Sequence, residues 1–402
     1  MLEIEQAREI ITAGLSPLNP VIHPVSSTIL GYFLGEDILA DLDSPPFPKA
    51  LMDGFAVRAN EAAPGKALAL NSMELSAGMA VDFALPPGCA CPIMTGAPIP
   101  FGANAVVPLE FAKTTSTQVE FITGEINSGW NILPQGAEYK SGEKLLQTGD
   151  QITSQNIGIL AACGKTSAFF HPAPKVAIVA TGNEMVEPNQ TPGPAQIRNS
   201  NATMLGALIS ESEGMPKYLG RAEDTEKSLE GIFQEAFTLD VAIITGGVST
   251  GRLDLVPKVL SQMGVEILFH KINMKPGKPM LFGRTSRGTP VFALPGNPVS
   301  AFVCFHLFIR PALLALRGGK KEQREIPAAL TQGLDYHSDR PTLHPACLKL
   351  GQVNQVTPAT WFGSADMLSL SRANALIFLP AEKSSFAQGE VVRCLPTIRH
   401  LV

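Results

Sequence analysis

The segment 240–254, DVAIITGGVSTGRLD, combines a buried strand with a turn that could hold an anion or a metal ion. Its apolar run predicts a strand of a parallel sheet, and an amphipathic run over 253–263 predicts a helix behind the turn. Backbone N–H groups at such a junction bind anions, and glycines let a ligand approach because no Cβ stands in the way. A glycine turn after a strand is a plain turn about as often as a binding site, and GGxxxG is not a phosphate-binding fingerprint. The groups available for binding are Thr245, Gly246, Gly247, Ser249, Gly251 and Asp254.

A second motif, KPGKP at 275–279, places the ammonium groups of Lys275 and Lys278 across a turn stiffened by two prolines. Two like charges held close together repel each other unless an anion lies between them. Taken alone, the motif is equally well explained as a solvated basic loop. Its place between two strands of the sheet that carries the glycine turn favours an oxyanion or phosphate site.

Three carboxylates stand in glycine-rich loops, those of Asp53, Glu184 and Asp254. Carboxylates near phosphate-binding loops commonly hold Mg²⁺, which prefers hard oxygen ligands. Each of them taken separately is more simply a helix cap or a turn residue. The turn PGNP at 295–298 is fully explained as structure, because it places a proline at the first position of a helix.

The composition is that of a well-packed globular protein with more than one core. At 402 residues the chain indicates about two to four domains. Apolar residues make up 45%, which argues against disorder, and a net charge of −5 provides no basic field for nucleic acid. The six cysteines are scattered in apolar contexts, as reduced thiols of a cytoplasmic protein are. The acidic N-terminus is not a signal peptide, and the apolar window 299–316 contains His306 and Arg310, so it predicts a buried helix and no membrane span.

The order of the predicted elements separates an irregular first part from an alternating second part. Up to about residue 130, short apolar segments are broken by Gly and Pro, which is typical of a small β domain. Alternating strands and helices after residue 174 predict a doubly wound sheet with helices on both faces and ligands at the strand ends. The last part predicts a small β barrel or sandwich. The predicted elements are helices 2–14, 154–163, 201–213, 226–238 and 299–316 and strands 175–181, 241–244, 265–270, 280–283 and 290–294.

Eight motifs occur in the order found in molybdopterin molybdenumtransferases, and the chain resembles that family over essentially its whole length. Each motif alone is modest, whereas eight in order with compatible spacing are specific. They are MDGFAV (52–57), IMTGAPIPFGANAVV (93–107), ATGNE (180–184), SN (200–201), ITGGVSTG (244–251) followed by Asp254, KPGKP (275–279), LPGNPVSA (294–301) and GSADMLSLSRANALIFLP (363–380).

The resemblance implies a multidomain fold of class α/β plus β and an elongated homodimer. The active cleft would lie between the sheet domain of one subunit and the β domain of its partner. The implied domains are a discontinuous N-terminal domain (1–44 and 131–172), an inserted β domain (45–130), a three-layer α/β sheet domain of the molybdopterin-binding type (173–319) and a C-terminal β-barrel domain (322–402).

The implied activity is insertion of molybdenum from molybdate into adenylylated molybdopterin, with release of AMP and with Mg²⁺ as cofactor. A molybdopterin adenylyltransferase is a further expected partner, nucleic acid and membranes are not, and the expected location is the cytoplasm. By position, the family's catalytic residues fall on Asp53, Thr95, Glu184, Asp254, Lys275 and Lys278, with Asp53, Glu184 and Asp254 as metal ligands. The expected cofactor-binding residues are Thr245, Gly246, Gly247, Ser249, Gly251, Pro295, Gly296, Asn297, Pro298 and Ser369.

Several positions differ from the family pattern, and they keep a second hypothesis open. They are Lys49, Glu138, Asn199, Arg252 and Pro345, of which the last stands where the family has an anion-facing arginine. Each change removes negative charge, adds bulk or deletes an anion contact, so the alternative is a catalytically weakened paralogue that binds or carries molybdopterin as a scaffold. A third hypothesis is a free-standing molybdopterin adenylyltransferase or an amidohydrolase-associated module. It is disfavoured because the sheet domain of those proteins usually starts the chain.

Overall fold

The chain forms several short sheets in its first part, one large α/β sheet, and a closed barrel. Helix α1 (Ile4–Ala13) comes first, and its buried residues recur at helical spacing and pack into a core beneath the large sheet. The computed structural model describes residues 1–248, 255–319 and 325–398.

The strands before residue 172 are short. In chain order they are β1 (Val21–Pro24), β2 (Phe33–Leu34), β3 (Ile38–Leu39), β4 (Lys49–Ala50), β5 (Gly54–Val57), β6 (Ala67–Leu70), β7 (Cys89–Ile93), β8 (Ala105–Pro108), β9 (Ala112–Thr114), β10 (Gln118–Phe121), β11 (Ile132–Leu133), β12 (Lys144–Leu146) and β13 (Ser167–His171). Six of them form the inserted sheet, in the order β8-β5-β7-β6-β10-β9, which buries a core of its own around Phe55 and Phe121. The others pair as β1-β13-β2, β3-β12 and β4-β11, and the first of these sheets packs on helix α2 (Ser154–Ala162).

A six-stranded sheet follows and carries helices on both faces. Its part of the chain contains β14 (Lys175–Thr181), β15 (Met185–Val186), β16 (Ile197–Arg198), α3 (Ser200–Glu211), β17 (Met215–Ala222), α4 (Glu226–Ala236), β18 (Val241–Thr245), α5 (Val256–Gln262), β19 (Glu266–His270), β20 (Leu281–Arg284), β21 (Pro290–Leu294), α6 (Pro298–Cys304) and α7 (Arg310–Leu316). The order across the sheet is β17-β14-β18-β21-β20-β19. The first four strands are parallel, and β20 and β19 extend the sheet in antiparallel fashion.

Neighbouring residues of the central strands point into two different cores. Val176 and Ile178 of β14 pack into one cluster with α1, α3, α6 and α7, whereas Ala177 and Val179 pack into another with α4 and α5. Both faces of the parallel strands are therefore covered, as the continuous apolar runs of these strands require. The three-layer α/β sheet predicted from the sequence is confirmed.

The sequence pattern predicts helices 201–213 and 226–238 in direct succession and misses strand β17 between them. As the edge strand of the sheet, β17 exposes most of its side chains and carries Lys217, Tyr218 and Arg221. Edge strands are often charged in this way, so no apolar run marks this one in the sequence.

One helix in the described part of the chain, Pro298–Leu316, is long and apolar enough to cross a membrane, judged by length and composition alone. It consists of α6, a π-helical turn (Phe305–Ile309) and α7. Inside the protein, 83% of its most apolar window is buried. That burial agrees with the core helix predicted from the sequence.

The C-terminal part is a closed barrel that also touches the large sheet. Its elements are β22 (Ile326–Leu330), β23 (Leu334–Asp335), β24 (Thr342–Lys349), β25 (Gln355–Pro358), α8 (Met367–Ser371), β26 (Ala375–Leu379), β27 (Ser385–Phe386) and β28 (Val391–Pro396). The barrel closes in the order β22-β25-β24-β26-β28, and β23 pairs with β27 beside it. At the start of β24, Thr342 forms a parallel bridge with Lys275 of the large sheet's loop. The boundaries of the four domains stay a proposal. The inserted sheet, the large α/β sheet and the barrel each lie within a different one of these proposed domains.

Candidate active site

The glycine turn after β18 is held by close contacts within the protein. The Gly246 amide donates to the Leu294 carbonyl oxygen at 3.0 Å, which joins the ends of β18 and β21. Gly246 and Gly247 have φ values of 97° and 66°. A Cβ on Gly246 would lie 2.4 Å from the Thr181 carbonyl oxygen, and one on Gly247 would lie 2.9 Å from the Thr181 hydroxyl. Both glycines are therefore required by the fold itself, before any ligand is considered.

Asn201 ties this turn to the PGNP turn. Its Nδ2 donates to Thr245 Oγ1 at 2.9 Å and to the Gly296 carbonyl oxygen at 2.8 Å. Thr245 is 1% exposed, so its hydroxyl is used inside the protein. The Thr245 hydroxyl therefore tethers the turn, and its part in ligand binding stays a prediction. Gly296 and Asn297, by contrast, are exposed at the same edge of the sheet.

Glu184 follows β14 at this edge. A Cβ on Gly182 would lie 2.6 Å from Glu184 Oε2, so the carboxylate folds back over the glycine. The intervening Asn183 exchanges two hydrogen bonds with Asp224: the Asn183 amide donates to Asp224 Oδ2 at 3.2 Å, and the Asp224 amide donates to Asn183 Oδ1 at 3.3 Å. A second carboxylate thus stands next to the loop of Glu184. Sequence reasoning missed Asp224, and its only signal was its place directly after the unrecognised strand β17.

The loop after β19 carries Lys275 and Lys278 and is fixed to the barrel. The Lys275 amide donates to the Pro341 carbonyl oxygen at 2.9 Å, and the Leu343 amide donates to the Lys275 carbonyl oxygen at 2.8 Å. Both lysine side chains are half-buried. The barrel therefore holds the backbone that positions the two predicted catalytic lysines.

A cavity of about 490 Å³ lies between this loop, the PGNP turn and the barrel. We call it the lysine cavity. The Lys275 Nζ lies 5.2 Å from the ring centroid of Tyr336, a barrel residue, and this cation–π contact holds the ammonium group at the cavity wall. The polar and turn residues of its lining include Lys275, Lys278, Pro295, Asn297, Ser300 and Arg340.

Arg340 supplies a third cation to the lysine cavity, from the barrel side. Its Nη1 donates to the Met274 carbonyl oxygen at 3.3 Å and its Nε donates to Asp339 Oδ1 at 3.1 Å, and the side chain is 21% exposed. Pro345, where the family pattern has an arginine, is buried in β24, and its carbonyl oxygen accepts a hydrogen bond from the Ala359 amide. Arg340 thus brings a cation to the cavity from the barrel, whereas Pro345 is not among the residues of the lining.

Asp53 and Thr95 meet at an exposed corner of the inserted sheet. The Thr95 amide and hydroxyl each donate to Asp53 Oδ1 at 2.7 Å. The amide, and then the hydroxyl, hold the pKa of Asp53 below its ordinary value, so this carboxylate is ionised at neutral pH. Neither residue is among those that line the lysine cavity of the same chain.

Asn199, one of the positions that differ from the family pattern, is buried, and both its side-chain oxygen and its side-chain nitrogen form hydrogen bonds. Its Oδ1 accepts from the Ala202 amide at 3.2 Å and caps α3. Its Nδ2 donates to the Tyr218 hydroxyl at 2.9 Å, and that hydroxyl donates to Glu187 Oε1 at 2.8 Å. An aspartate could not donate to Tyr218, so asparagine is the residue that fits this surrounding structure.

The remaining predicted site residues are either buried or outside the part of the chain that the structure describes. Ser369 is 6% exposed, and its hydroxyl donates to the Asp366 carbonyl oxygen at 3.0 Å within the turn that starts α8. Ser369 is not among the residues of the cavity lining. Ser249, Gly251, Arg252 and Asp254 lie outside the described residues, so their roles stay predictions.

The described residues do not complete a metal site. Over residues 1–248, 255–319 and 325–398, no group of three or more His, Cys, Asp or Glu side chains is placed to hold a metal ion. Asp53 offers an ionised carboxylate and Glu184 an exposed one, which suit Mg²⁺ chemically. The third predicted ligand, Asp254, is outside this part of the chain. We therefore assign no reaction step to a metal ion.

Three family models match successive parts of the chain. The MoeA N-terminal region (domain I and II) matches residues 2–164, a probable molybdopterin binding domain matches residues 177–315, and the MoeA C-terminal region (domain IV) matches residues 327–397. Together they cover the two parts that hold the predicted residues, the inserted sheet and the large sheet, as well as the barrel.

Relatives of known name agree with these models. The chain is 33% identical to a molybdopterin molybdenumtransferase of Staphylococcus epidermidis, over 92% of this chain and 89% of the relative, and 33% identical to that of Bacillus subtilis, over 90% and 86%. It is 32% identical to molybdopterin molybdenumtransferase 2 of Mycobacterium tuberculosis, over 97% and 98%. A crystal structure of the molybdopterin biosynthesis MoeA protein of Pyrococcus horikoshii has a TM-score of 0.85 and 28% identity, with 99% of both chains covered. The chain therefore belongs to the molybdopterin molybdenumtransferases, transferases of molybdenum cofactor biosynthesis.

Proposed function

We propose that this chain inserts molybdenum from molybdate into adenylylated molybdopterin and releases AMP, which yields molybdenum cofactor. The observation that carries the proposal is the lysine cavity, where Lys275, Lys278 and Arg340 converge on one volume. Three cations around a half-buried cavity suit a tetrahedral oxyanion, because charge-assisted hydrogen bonds are strongest where water is partly excluded. The names of the relatives, molybdopterin molybdenumtransferases, support molybdopterin as the substrate class.

The proposed chemistry uses the cations to offset negative charge. A molybdate oxygen held in the cavity attacks the phosphorus of the AMP group, and the anhydride P–O bond breaks so that the bridging oxygen stays on the molybdopterin phosphate. The attacking oxygen remains on AMP when its bond to molybdenum breaks. Molybdenum binds the two dithiolene sulfurs, whose two protons leave with one molybdate oxygen as water. The ammonium groups of Lys275 and Lys278 and the guanidinium of Arg340 stabilise the charge that builds up on the oxygens during attack. Asp53, Glu184 and Asp254 are the residues that would hold Mg²⁺, and the ion would supply positive charge beside the phosphates when bound.

We further propose a homodimer in which Asp53 and Thr95 of one subunit face the lysine cavity of the other. Support comes from the separation of the two groups within one chain: the inserted sheet holds the acid, and the large sheet with the barrel forms the cavity. Exposed apolar side chains outside both sites, such as Ile22, Leu30 and Leu42, are suited to an interface. A molybdopterin adenylyltransferase as supplier of substrate and a cytoplasmic location complete the proposal.

The test is AMP release from adenylylated molybdopterin with Mg²⁺, measured with and without molybdate. The wild-type protein should release AMP only with molybdate, and Lys275→Ala and Asp53→Ala should each abolish release. Lys349→Ala is a matched control, because Lys349 is an exposed lysine of the barrel strand β24 outside the cavity lining. It should leave the rate unchanged.

Two results would reject the proposal. Tight binding of adenylylated molybdopterin without AMP release would identify the scaffold paralogue instead. Release that Lys275→Ala does not slow would place the chemistry outside the lysine cavity.

A further inference from the structure

Phe362 is an exposed aromatic side chain on a fixed loop at the lysine cavity. It is 89% exposed, yet it belongs to the lining of the cavity. The loop is anchored to the start of α6, because Asn297 Nδ2 donates to Ser364 Oγ at 2.7 Å and the Val299 amide donates to the Ser364 carbonyl oxygen at 3.0 Å. The Phe362 amide also donates to Asp366 Oδ2 at 3.2 Å. The ring is thus presented to solvent from a backbone that is held in place.

Two further aromatic side chains, Trp361 and Tyr336, line the same cavity. Trp361 and Tyr336 are stacked, with 6.2 Å between ring centroids and 17° between planes, and His344 meets the Trp361 ring edge-on at 5.2 Å. Trp361 Nε1 donates to the Gly363 carbonyl oxygen at 2.5 Å, which fixes the indole. Cationic and aromatic side chains therefore line the same cavity.

A ligand that contacts both kinds of side chain carries an anionic group and a flat ring system. A purely aliphatic ligand would not use the aromatic side chains of this cavity. Binding of an oxyanion alone would not explain why the Phe362 ring is exposed at its edge. Stacking on an aromatic side chain favours fused nitrogen heterocycles, whose faces are flat and polarisable.

We propose that Phe362, in the cavity that Trp361 and Tyr336 also line, stacks against a fused nitrogen heterocycle of the substrate while the anionic end of that substrate lies at Lys275, Lys278 and Arg340. This inference rests on the proposed function, because the substrate proposed there carries two such heterocycles, a pterin and an adenine. Phe362 contacts the ring and takes no part in bond breaking.

Binding of three separate probes tests this assignment: molybdate, AMP and a phosphorylated 6-hydroxymethylpterin. The proteins are the wild type, Phe362→Leu, which keeps an apolar side chain, and Phe362→Trp, which keeps a ring. Val353→Ala is the control, since Val353 is a 70% exposed apolar residue of the barrel outside the cavity lining. Phe362→Leu should weaken the binding of one heterocyclic probe about tenfold, which corresponds to about 1.4 kcal/mol of binding free energy, and should leave the binding of molybdate unchanged. Phe362→Trp and Val353→Ala should bind like the wild type.

The two heterocyclic probes distinguish the source of the ring. Weaker binding of AMP identifies the adenine, and weaker binding of the pterin phosphate identifies the pterin. Unchanged binding of both by Phe362→Leu, or equal losses with Leu and Trp, would overturn the inference. Weaker self-association of Phe362→Leu with unchanged probe binding would overturn it too and would assign the ring to a subunit contact.

The inference and the proposed function fail separately. If wild type releases AMP in a molybdate-dependent way and Phe362→Leu has an unchanged KM, only the ring assignment is wrong. If the wild type shows no molybdate-dependent release but binds a heterocycle through Phe362, the proposed reaction is wrong and the ring site stands.

Discussion

Lys49 and Glu138 form an ion pair, with 3.9 Å between Lys49 Nζ and Glu138 Oε1. Glu138 Oε2 also accepts a hydrogen bond from the Ser44 hydroxyl at 2.6 Å. Both charged residues occupy positions at which this chain differs from the family pattern. The two positions therefore meet in one ion pair, between β4 and the turn that follows β11.

The pair should contribute little stability, and the two residues should be coupled. In a double-mutant cycle with Lys49→Ala and Glu138→Ala, we expect a coupling free energy of about 0.2–1 kcal/mol, because both side chains are partly exposed and screened by solvent. Urea unfolding of the four proteins measures it. Raising the salt to about 1 M should reduce the coupling. No coupling at low salt would mean that the two differences are unrelated.

Gly277 should be required for the position of the lysine loop. Its φ is 108°, and a Cβ there would lie 2.8 Å from Cys304 Sγ and 2.9 Å from Met274 Cε. Gly277→Ala should lower the free energy of unfolding by about 1–3 kcal/mol, because it adds both a clash and backbone strain. It should also lower kcat/KM for AMP release by about tenfold or more, since displacing a positioning loop by about 1 Å is costly.

The control for Gly277→Ala is Gly124→Ala. A Cβ on Gly124 would meet no atom within 4 Å, and its φ is not in the left-handed region. Equal effects of the two substitutions on unfolding and on activity would contradict the role assigned to Gly277.

Thr95 should keep Asp53 ionised at unusually low pH. Thr95→Val removes the hydroxyl donor and keeps the amide donor, so the pKa of Asp53 should rise towards its ordinary value of 3.8 without reaching it. A depressed carboxylate pKa stabilises the fold above the unfolded-state pKa, and this contribution is lost as the pH falls through the folded-state pKa. In Thr95→Val the smaller shift should leave a smaller contribution, lost at a higher pH. Titration of the Asp53 carboxyl carbon by NMR measures the shift, and an unchanged pKa would contradict the assignment.

Arg340 should contribute to oxyanion binding. Arg340→Ala should weaken molybdate binding about tenfold to a hundredfold, because hydrogen bonds to charged groups contribute about 1.5–3 kcal/mol. Arg340→Lys should have an intermediate affinity for molybdate, since lysine keeps the positive charge and lacks the several N–H donors of the guanidinium group. Isothermal titration with molybdate measures both. Arg393→Ala, at a 65% exposed barrel arginine outside the cavity lining, should bind molybdate normally. A wild-type affinity in Arg340→Ala would show that the lysines act alone.

A shared active site predicts complementation between two inactive variants. Mixed and reassembled Asp53→Ala and Lys275→Ala subunits should recover about a quarter of wild-type activity. Half of the dimers are then mixed, and each of these has one of its two sites intact. Reassembly with either variant alone is the control and should stay inactive. No recovery in a mixture shown to contain mixed dimers would place both residues in one chain's site.

Sequence patterns predicted the parts of this fold that have continuous apolar runs. The strands β14, β18 and β21 and the helices on the large sheet were predictable because burial on both faces demands such runs. The edge strand β17 was not predictable, since its exposed polar side chains give no apolar run or alternation in the sequence. Asp224, which follows β17, was missed for the same reason.

The candidate site was predictable only within each motif. Lys275 and Lys278 stand in one short motif, whereas the lysine cavity also needs Arg340 and Trp361, which come from the barrel more than 60 residues later in the chain. No local spacing reveals that β24 starts against the lysine loop. The sequence marked Pro345 as the place of a missing cation, and it does not show that Arg340, just before β24, lines the lysine cavity.

The number of molybdenum atoms found in the pterin product for each AMP released decides whether this protein inserts the metal. Wild-type protein, adenylylated molybdopterin, Mg²⁺ and molybdate are mixed, AMP is quantified, and molybdenum bound to the released pterin is counted by mass spectrometry. We predict one molybdenum per AMP, with neither product formed by Lys275→Ala. AMP release without molybdenum in the pterin would contradict insertion and would make the protein a hydrolase of its substrate.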